Sequence, residues 1–330
     1  LPELSEGSAT AAAQPALTVE DIRAARSRVY EVALRTPLVP LFAPELPPGR
    51  RIYLKLDCLQ PIGSFKIRGA YNLIAQLPAD RLRAGVYTAS AGNAAQGVAL
   101  AAARAGVACT VVMPDPAPQV KLDAVRRLGA RIVQVPWDDV WTCMQTRTFP
   151  GLEDATFVHP FDDPRVWAGN GTCGLEIVED LPDVDTVVVP FGGGGLAIGV
   201  ATAVKALRPA CRVLAAESVN APLAASLRAG HAAAIERQPS IADGIGGGSV
   251  MESIYPHAAR LLDGTRQADE DAIRGAIRFL ATRARVVAEG AGACPVAVAM
   301  AGDAGDGNIV CIVSGGNIDP GVLGQIVAAG

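Results

Sequence analysis

From about residue 50 the chain alternates short apolar runs with longer stretches whose apolar positions recur at helical spacing. The runs are RIYLKLD (51–57), GVYTAS (85–90), CTVVMP (109–114), RIVQVP (131–136), ATFVHP (155–160), TVVVPF (186–191), CRVLAAE (211–217) and NIVCIVSGG (308–316). Strands that are apolar throughout belong in parallel sheets covered on both faces. Between them lie segments such as NAAQGVALAAARAG and AIGVATAVKAL, with the spacing of buried helices. Repeated strand–helix alternation predicts an α/β fold.

The length, 330 residues, is enough for two lobes with a core each. No repeat of fixed length and no linker marks the boundary. The units at 81–158 are expected to form a small inserted lobe, with 19–80 and 159–330 forming the larger one. Each lobe is expected to be a mostly parallel sheet flanked by helices. Residues 1–18, LPELSEGSATAAAQPALT, lack the basic start and apolar core of a signal peptide and read as a disordered tail.

Half of the residues are hydrophobic and 19% are charged, the net charge is -4, and no block of Lys or Arg occurs. Nucleic acid is a poor partner for such a surface, and no charge-free apolar run reaches bilayer length. The seven cysteines are scattered and form no C-x-x-C pair, which suits a reducing, cytoplasmic setting and argues against a zinc site. With only His159, His231 and His257, chemistry built on a histidine base has little material. His231 and His257 are expected at the surface.

In α/β folds, ligands sit where glycine-rich turns lead from strand ends into helices. Three turns qualify: SAGNAAQG (90–97), GGGG (192–195) and SGGN (314–317). Four glycines between TVVVPF and a helix expose N–H groups at the positive end of that helix, which makes a phosphate cradle. Gly192, Gly194 and Ala197 also fit the loose dinucleotide pattern G-x-G-x-x-A, and Glu217 ends the next strand, so an NAD-dependent oxidoreductase is an alternative. In SAGN, the polar turn Ser90–Asn93 precedes a helix whose first N–H groups suit a carboxylate, although ordinary capping explains it equally well. Ser314 places a hydroxyl at the mouth of a buried strand.

The fourth feature is QPIGSFKIRG (60–69). Ser64 is expected to cap a helix that carries Lys66 in its first turn, between Phe65 and Ile67. The helix dipole, the nearby Arg68 and desolvation all favour the neutral amine there. A neutral lysine is a nucleophile toward aldehydes. An amine for an aldehyde, a cradle for a phosphate, a helix end for a carboxylate and a hydroxyl for a ring nitrogen are together what pyridoxal 5′-phosphate needs to act on an amino acid.

The chain resembles the fold-type II pyridoxal-phosphate enzymes of the threonine/serine dehydratase and serine racemase family, whose fold is that of the tryptophan synthase β chain. The resemblance runs from about residue 20 to the end and rests on GSFKIRGA (63–70), SAGNAAQG, HPFDD (159–163), AGNGT (168–172), GGGG, ADGI (242–245), EGAGA (289–293) and SGGN in that order. It implies that Lys66 carries the cofactor and then removes the substrate α-proton. Phe65, Asn93, Gly192, Gly193, Gly194, Gly195, Glu289 and Ser314 are implied as further cofactor contacts: Phe65 on the ring, Asn93 on its 3′-oxygen, the glycines on the phosphate and Ser314 on the pyridine nitrogen. Ser90, Ala91, Gly92, Asn93, Ala94 and Gly244 are implied to surround the substrate. The activity implied is dehydration of a β-hydroxy amino acid to a 2-oxo acid and ammonia, in a homodimer. β-Replacement and racemisation on the same cofactor are alternatives, as is a relative that binds the cofactor without catalysis.

Three departures bear on the substrate. Ala91 stands where serine racemases have their second base, which ranks racemisation below elimination. Ala94 replaces the family histidine, and GGGS (246–249) is poor in side chains, which hints at a substrate bulkier than threonine. Pro222 and Leu223 occupy the stretch where racemases carry the second acid of a cation site beside Glu217, so no divalent metal is expected. The chain ends soon after SGGN, so a regulatory domain is not expected.

Overall fold

The structure, a computed structural model, describes residues 16–43 and 49–329. Most of the predicted 1–18 tail lies outside the described residues. Within them, Leu17 packs into the core and Thr18 caps the helix Val19–Val29, reciprocally with Asp21.

Among the described residues, ten strands form two sheets: β1 Leu38–Pro40, β2 Arg50–Lys55, β3 Val86–Ala89, β4 Cys109–Pro114, β5 Arg131–Val135, β6 Thr156–Phe157, β7 Thr186–Pro190, β8 Arg212–Glu217, β9 Thr265–Gln267 and β10 Gly307–Ile312. Six make one sheet in the order β1-β2-β10-β7-β8-β9. The other four make a sheet in the order β5-β4-β3-β6, drawn wholly from the segment between residues 86 and 157. All pairings are parallel except β1 with β2. Every residue of β3 and β7 is buried, as the unbroken apolar runs require. All eight predicted strands are present: β4 has the predicted bounds, β2 and β10 begin one residue earlier and end earlier, and the rest are shorter. The two three-residue strands β1 and β9 were not anticipated, because three residues carry no periodic signal.

Three helices fix the position of the lysine. Lys66–Ile74 packs on Asn93–Ala105 and on Pro164–Asp180, and the last of these also packs on Gly195–Leu207. Two glycines set the spacing. A Cβ on Gly169 would stand 2.4 Å from the Arg68 carbonyl oxygen, and one on Gly199 would stand 2.3 Å from the Trp167 carbonyl oxygen. The motif AGNGT is therefore a packing surface, where backbone meets backbone.

The far side of the lysine-bearing helix is held by ions. Arg68 is fully buried; it donates from Nε and Nη2 to Asp57 at 2.7 and 2.8 Å, and from Nη1 and Nη2 to Glu176 at 2.6 and 3.0 Å. Lys55, also fully buried, lies 2.6 Å from Glu176 Oε2 and donates to the Thr36 carbonyl at 2.6 Å. Tyr30 and Thr36 add hydroxyl donors to Glu176 and Asp57. Two cations and two carboxylates thus share one fully buried site, with Asp180 at its edge 3.9 Å from Lys55. Burial opposes ionisation of Asp57, but Arg68 and Lys55 outweigh it and hold its pKa below the usual value.

Candidate active site

The turn before Lys66 is built by backbone pairing with the SGGN turn. Phe65 N donates to the Ser314 carbonyl at 2.9 Å, Gly316 N donates to the Gly63 carbonyl at 2.9 Å, and Ser64 forms an isolated antiparallel bridge with Gly315. This pairing overrides the expected role of Ser64. Phe65, not Ser64, is the N-cap; it makes no side-chain cap bond, and Ser64 Oγ is buried without a partner. Lys66 is the first helical residue.

Lys66 Nζ donates to the Pro160 carbonyl at 3.0 Å and lies 5.0 Å from the centre of the Phe65 ring. Desolvation pulls its pKa down to about 8, against the opposing pull of the Glu289 charge. Arg68 takes no part in this shift, contrary to the sequence expectation, because its charge points away from Lys66 into the Asp57–Glu176 site.

The helix Asn93–Ala105 lies directly on the lysine: a Cβ at Gly97 would be 3.0 Å from Lys66 Cβ. Its N-cap is Gly92, and no side chain caps it. Ser90 Oγ accepts instead from Gly92 N at 3.1 Å, and the Asn93 amide is engaged elsewhere. Ala91 is partly buried and brings no hydroxyl to the turn. Ala94 is buried, and with Lys66, Ala70, Val98 and Asn170 it lines a cavity of about 10 Å³. That gap is about the space of one water, and its other walls are core side chains.

The glycine turn is the third wall. Gly194 adopts φ +85°, a left-handed conformation that a side chain disfavours, and starts the helix Gly195–Leu207 with no side-chain cap. The Phe161 ring covers Gly193, where a Cβ would come within 2.2 Å of it. The segment His159–Phe161 thus joins lysine and glycine turn: Pro160 holds the amine and Phe161 packs on the turn. His159 is buried, with its ring edge-on to Phe161 at 4.6 Å. Desolvation, with Arg147 and Lys66, drives its pKa down to about 3, so it is a neutral packing group. Gly244 reaches the site from ADGI, its carbonyl oxygen 2.9 Å from where a Gly192 Cβ would stand.

Glu289 and Ser314 complete the set. Glu289 is buried and accepts from Asn93 Nδ2 at 2.7 Å; burial first, then the Asp243 charge, raises its pKa to about 7. Ser314 is buried beside the turn that precedes Lys66. The structure therefore gathers Phe65, Lys66, the Ser90–Ala94 turn, Glu289 and Ser314 around one space, with Gly192–Gly195 and Gly244 reached through the His159–Phe161 segment. Sequence reasoning missed the Pro160 carbonyl, which has no side-chain signature, and Asn317, whose amide donates to Asn93 Oδ1 at 2.8 Å.

A contrast among helix ends bears on what belongs here. Thr18, Asp163, Asp269 and Asp319 cap their helices with side chains. The helices starting at Asn93 and Gly195 lack such a cap, as do others, among them those starting at Ala79, Gln119 and Trp137; these two are the ones preceded by the polar and glycine turns near Lys66. Their first N–H groups suit anions supplied from outside the chain. A family model described as pyridoxal-phosphate dependent enzyme matches residues 29–315. The chain belongs to that family. An L-threonine ammonia-lyase of Thermotoga maritima is 43% identical over 321 residues, which covers 95% of this chain and 79% of that protein. Maize serine racemase has a similar structure (TM-score 0.86, 33% identity, 96% of this chain and 98% of that one). So does threonine deaminase isoform 2 of Solanum lycopersicum (TM-score 0.83, 35% identity, 94% and 91%). The fold is accordingly that of fold-type II enzymes, and the cofactor is pyridoxal 5′-phosphate.

The competing readings lose ground on specific residues. Glu217, the acid that an NAD site or a cation site would need, is fully buried, with its oxygens accepting from Leu223 N, Ala224 N and the Thr265 hydroxyl. It caps the helix Pro222–Ala229. No cluster of three or more His, Cys, Asp or Glu able to hold a metal occurs among the described residues. No described helix is long and apolar enough to cross a membrane. His231 is exposed as expected, but His257 packs its ring on Trp167 at 4.9 Å.

Proposed function

We propose that the protein is an ammonia-lyase that converts L-threonine or L-serine to the 2-oxo acid and ammonia. One arrangement carries the reading: a desolvated amine in no ion pair, Lys66, packs on the helix whose uncapped start is Gly92, and the His159–Phe161 segment links it to the second uncapped start at Gly194. Gly192–Gly195 would hold the cofactor phosphate, Phe65 and Asn93 would contact the ring and its 3′-oxygen, and Ser314 would bond the ring nitrogen. Once bound, the cofactor supplies an electron sink for the pair left at Cα. The N–H groups of Asn93 and Ala94 would orient the substrate carboxylate, with Ser90 in the same turn and Gly244 reached from the ADGI side near Glu289. Lys66 Nζ, largely neutral above its pKa of about 8, takes the α-proton. The β-hydroxyl then leaves as water, which balances the proton removed from Cα, and the free enamine is hydrolysed to the 2-oxo acid and ammonia.

Two features narrow this further. Ala91 has no group that could return a proton to the opposite face, which favours elimination over racemisation. Relatives described as threonine ammonia-lyases support threonine or serine as the substrate, and buried Ala94 lines only a gap of about 10 Å³ among core residues, which supports local repacking at that position. We further infer that residues 81–158, whose strands form the four-stranded sheet, are the small lobe of a homodimeric enzyme. Seven unpaired, buried cysteines support a cytoplasmic setting.

The test is direct. Purified protein is expected to be yellow, borohydride to fix the chromophore to Lys66, and L-threonine and L-serine to yield 2-oxo acid. Faster turnover of phenylserine would overturn the substrate assignment. Colourless protein that binds NAD would overturn the whole reading.

A further inference from the structure

The polarity of one hydrogen-bond chain is set by a group that has no freedom. The Ile62 carbonyl, in the turn before Lys66, can only accept. Asn317 Nδ2 donates to it at 2.8 Å and to Asn93 Oδ1 at 2.8 Å. Those two bonds use both protons of the Asn317 amide. They also force the oxygen of Asn93 to face Asn317, because an amide nitrogen there would meet donor with donor. The nitrogen of Asn93 therefore turns the other way, where it donates to Glu289 Oε1 at 2.7 Å with one proton and keeps a second. Glu289 enforces this orientation only while it is ionised, when both of its oxygens can only accept. Burial and Asp243 raise its pKa to about 7 against the opposing effects of Asn93 and Lys121, and once protonated it could donate to an amide oxygen instead. The carbonyl of Ile62 accepts at every pH.

We propose that Asn317, on the exposed rim of the site, is a positioning residue: it fixes the Asn93 amide so that a donor, not an acceptor, is offered to the cofactor ring oxygen. This rests on the assignment of Asn93 to that oxygen. It gives the last residue of SGGN a task distinct from that of Ser314, and it ties the turn before Lys66 to the turn before the helix Asn93–Ala105.

The experiment compares holoenzymes carrying Asn93→Ala, Asn317→Asp, Asn317→Ala and the pair Asn93→Ala with Asn317→Asp. Readouts are the cofactor dissociation constant, the wavelength and ellipticity of its visible band, and thermal unfolding as a control for structural damage. Asn317→Asp places an acceptor opposite both the Ile62 carbonyl and Asn93 Oδ1. It is expected to weaken cofactor binding by about 10-fold, the scale of one hydrogen bond to a charged oxygen, and to move the band in the same direction as Asn93→Ala. On the Asn93→Ala background it is expected to move the band no further. Asn317→Ala removes the guide without reversing it, so a smaller shift in the same direction is expected; it carries the test alone if the aspartate variant does not fold. A band displaced by Asn93→Ala but untouched by both Asn317 variants would overturn the proposal. A band and a dissociation constant unchanged by Asn93→Ala would overturn the assignment of Asn93 and the proposal with it.

Discussion

Lys66 and Arg68 stand two residues apart on one helix and meet opposite treatment. Arg68 is enclosed by Asp57 and Glu176, and its guanidinium is held firmly charged, well above its usual range, although desolvation alone would lower it. Lys66 has a carbonyl oxygen at 3.0 Å and an aromatic ring, and desolvation goes largely unopposed. Two cations two residues apart, one buried and one half-buried, thus end in different states, and the difference lies in carboxylates brought from elsewhere in the chain. One anchors the helix by its charge; the other is useful because it gives its charge up. The separation also explains why the cluster can be ionic without quenching the amine: its carboxylates are satisfied by their own cations.

Breaking the reactive half has the largest expected consequence. Lys66→Ala is expected to cut 2-oxo acid formation by about 10³-fold, the scale of losing a positioned proton acceptor. Activity retained at the normal rate would remove Lys66 from its assigned role.

Breaking the structural half is expected to act on stability. Arg68→Met leaves two buried carboxylates facing Lys55 alone, and a cost of about 3–5 kcal/mol is expected in urea unfolding. What remains folded is expected to keep the same alkaline midpoint for Lys66, since Arg68 does not contribute to it. A large shift of that midpoint would show that the two charges communicate.

The smallest effect concerns the lysine charge itself. Its folded pKa is lowered from 10.5 to about 8, so between these values the unfolded chain binds a proton that the folded chain does not. Stability therefore rises across that window as pH increases, and below about 8 the cost of burying the cation is fully present. In protein stripped of cofactor, Lys66→Met is expected to be more stable than the parent at pH 7. The gap is at most about 3 kcal/mol, reduced by water at the partly open side chain, and closes toward pH 10.5. A gap that does not change with pH would mean that the amine is not desolvated.

The turns that wall the site were legible because each has a local signature: glycine runs after apolar strands, and a lysine between apolar neighbours after a proline-glycine turn. Ser64 was misread for the same reason. Its sequence position suits a helix cap, but pairing with Gly315 claims the backbone first, and no pattern near residue 64 announces a bridge to residue 315. The cause assigned to the Lys66 shift failed similarly, since the groups that neutralise Arg68 lie 11 and 108 positions away. Asn317 stood inside a recognised motif, yet its partners at Ile62 and Asn93 are remote in sequence, and one of them is a carbonyl, which every residue has.

The sequence by itself determined the parallel α/β layers, through runs apolar on both faces, and nominated the lysine and the three turns. The tertiary structure decided which cation is paired and which is left to desolvation, and which end of an amide faces the site. Those outcomes depend on burial and on contacts between distant segments; local patterning encodes backbone conformation but not the neighbours that conformation will meet.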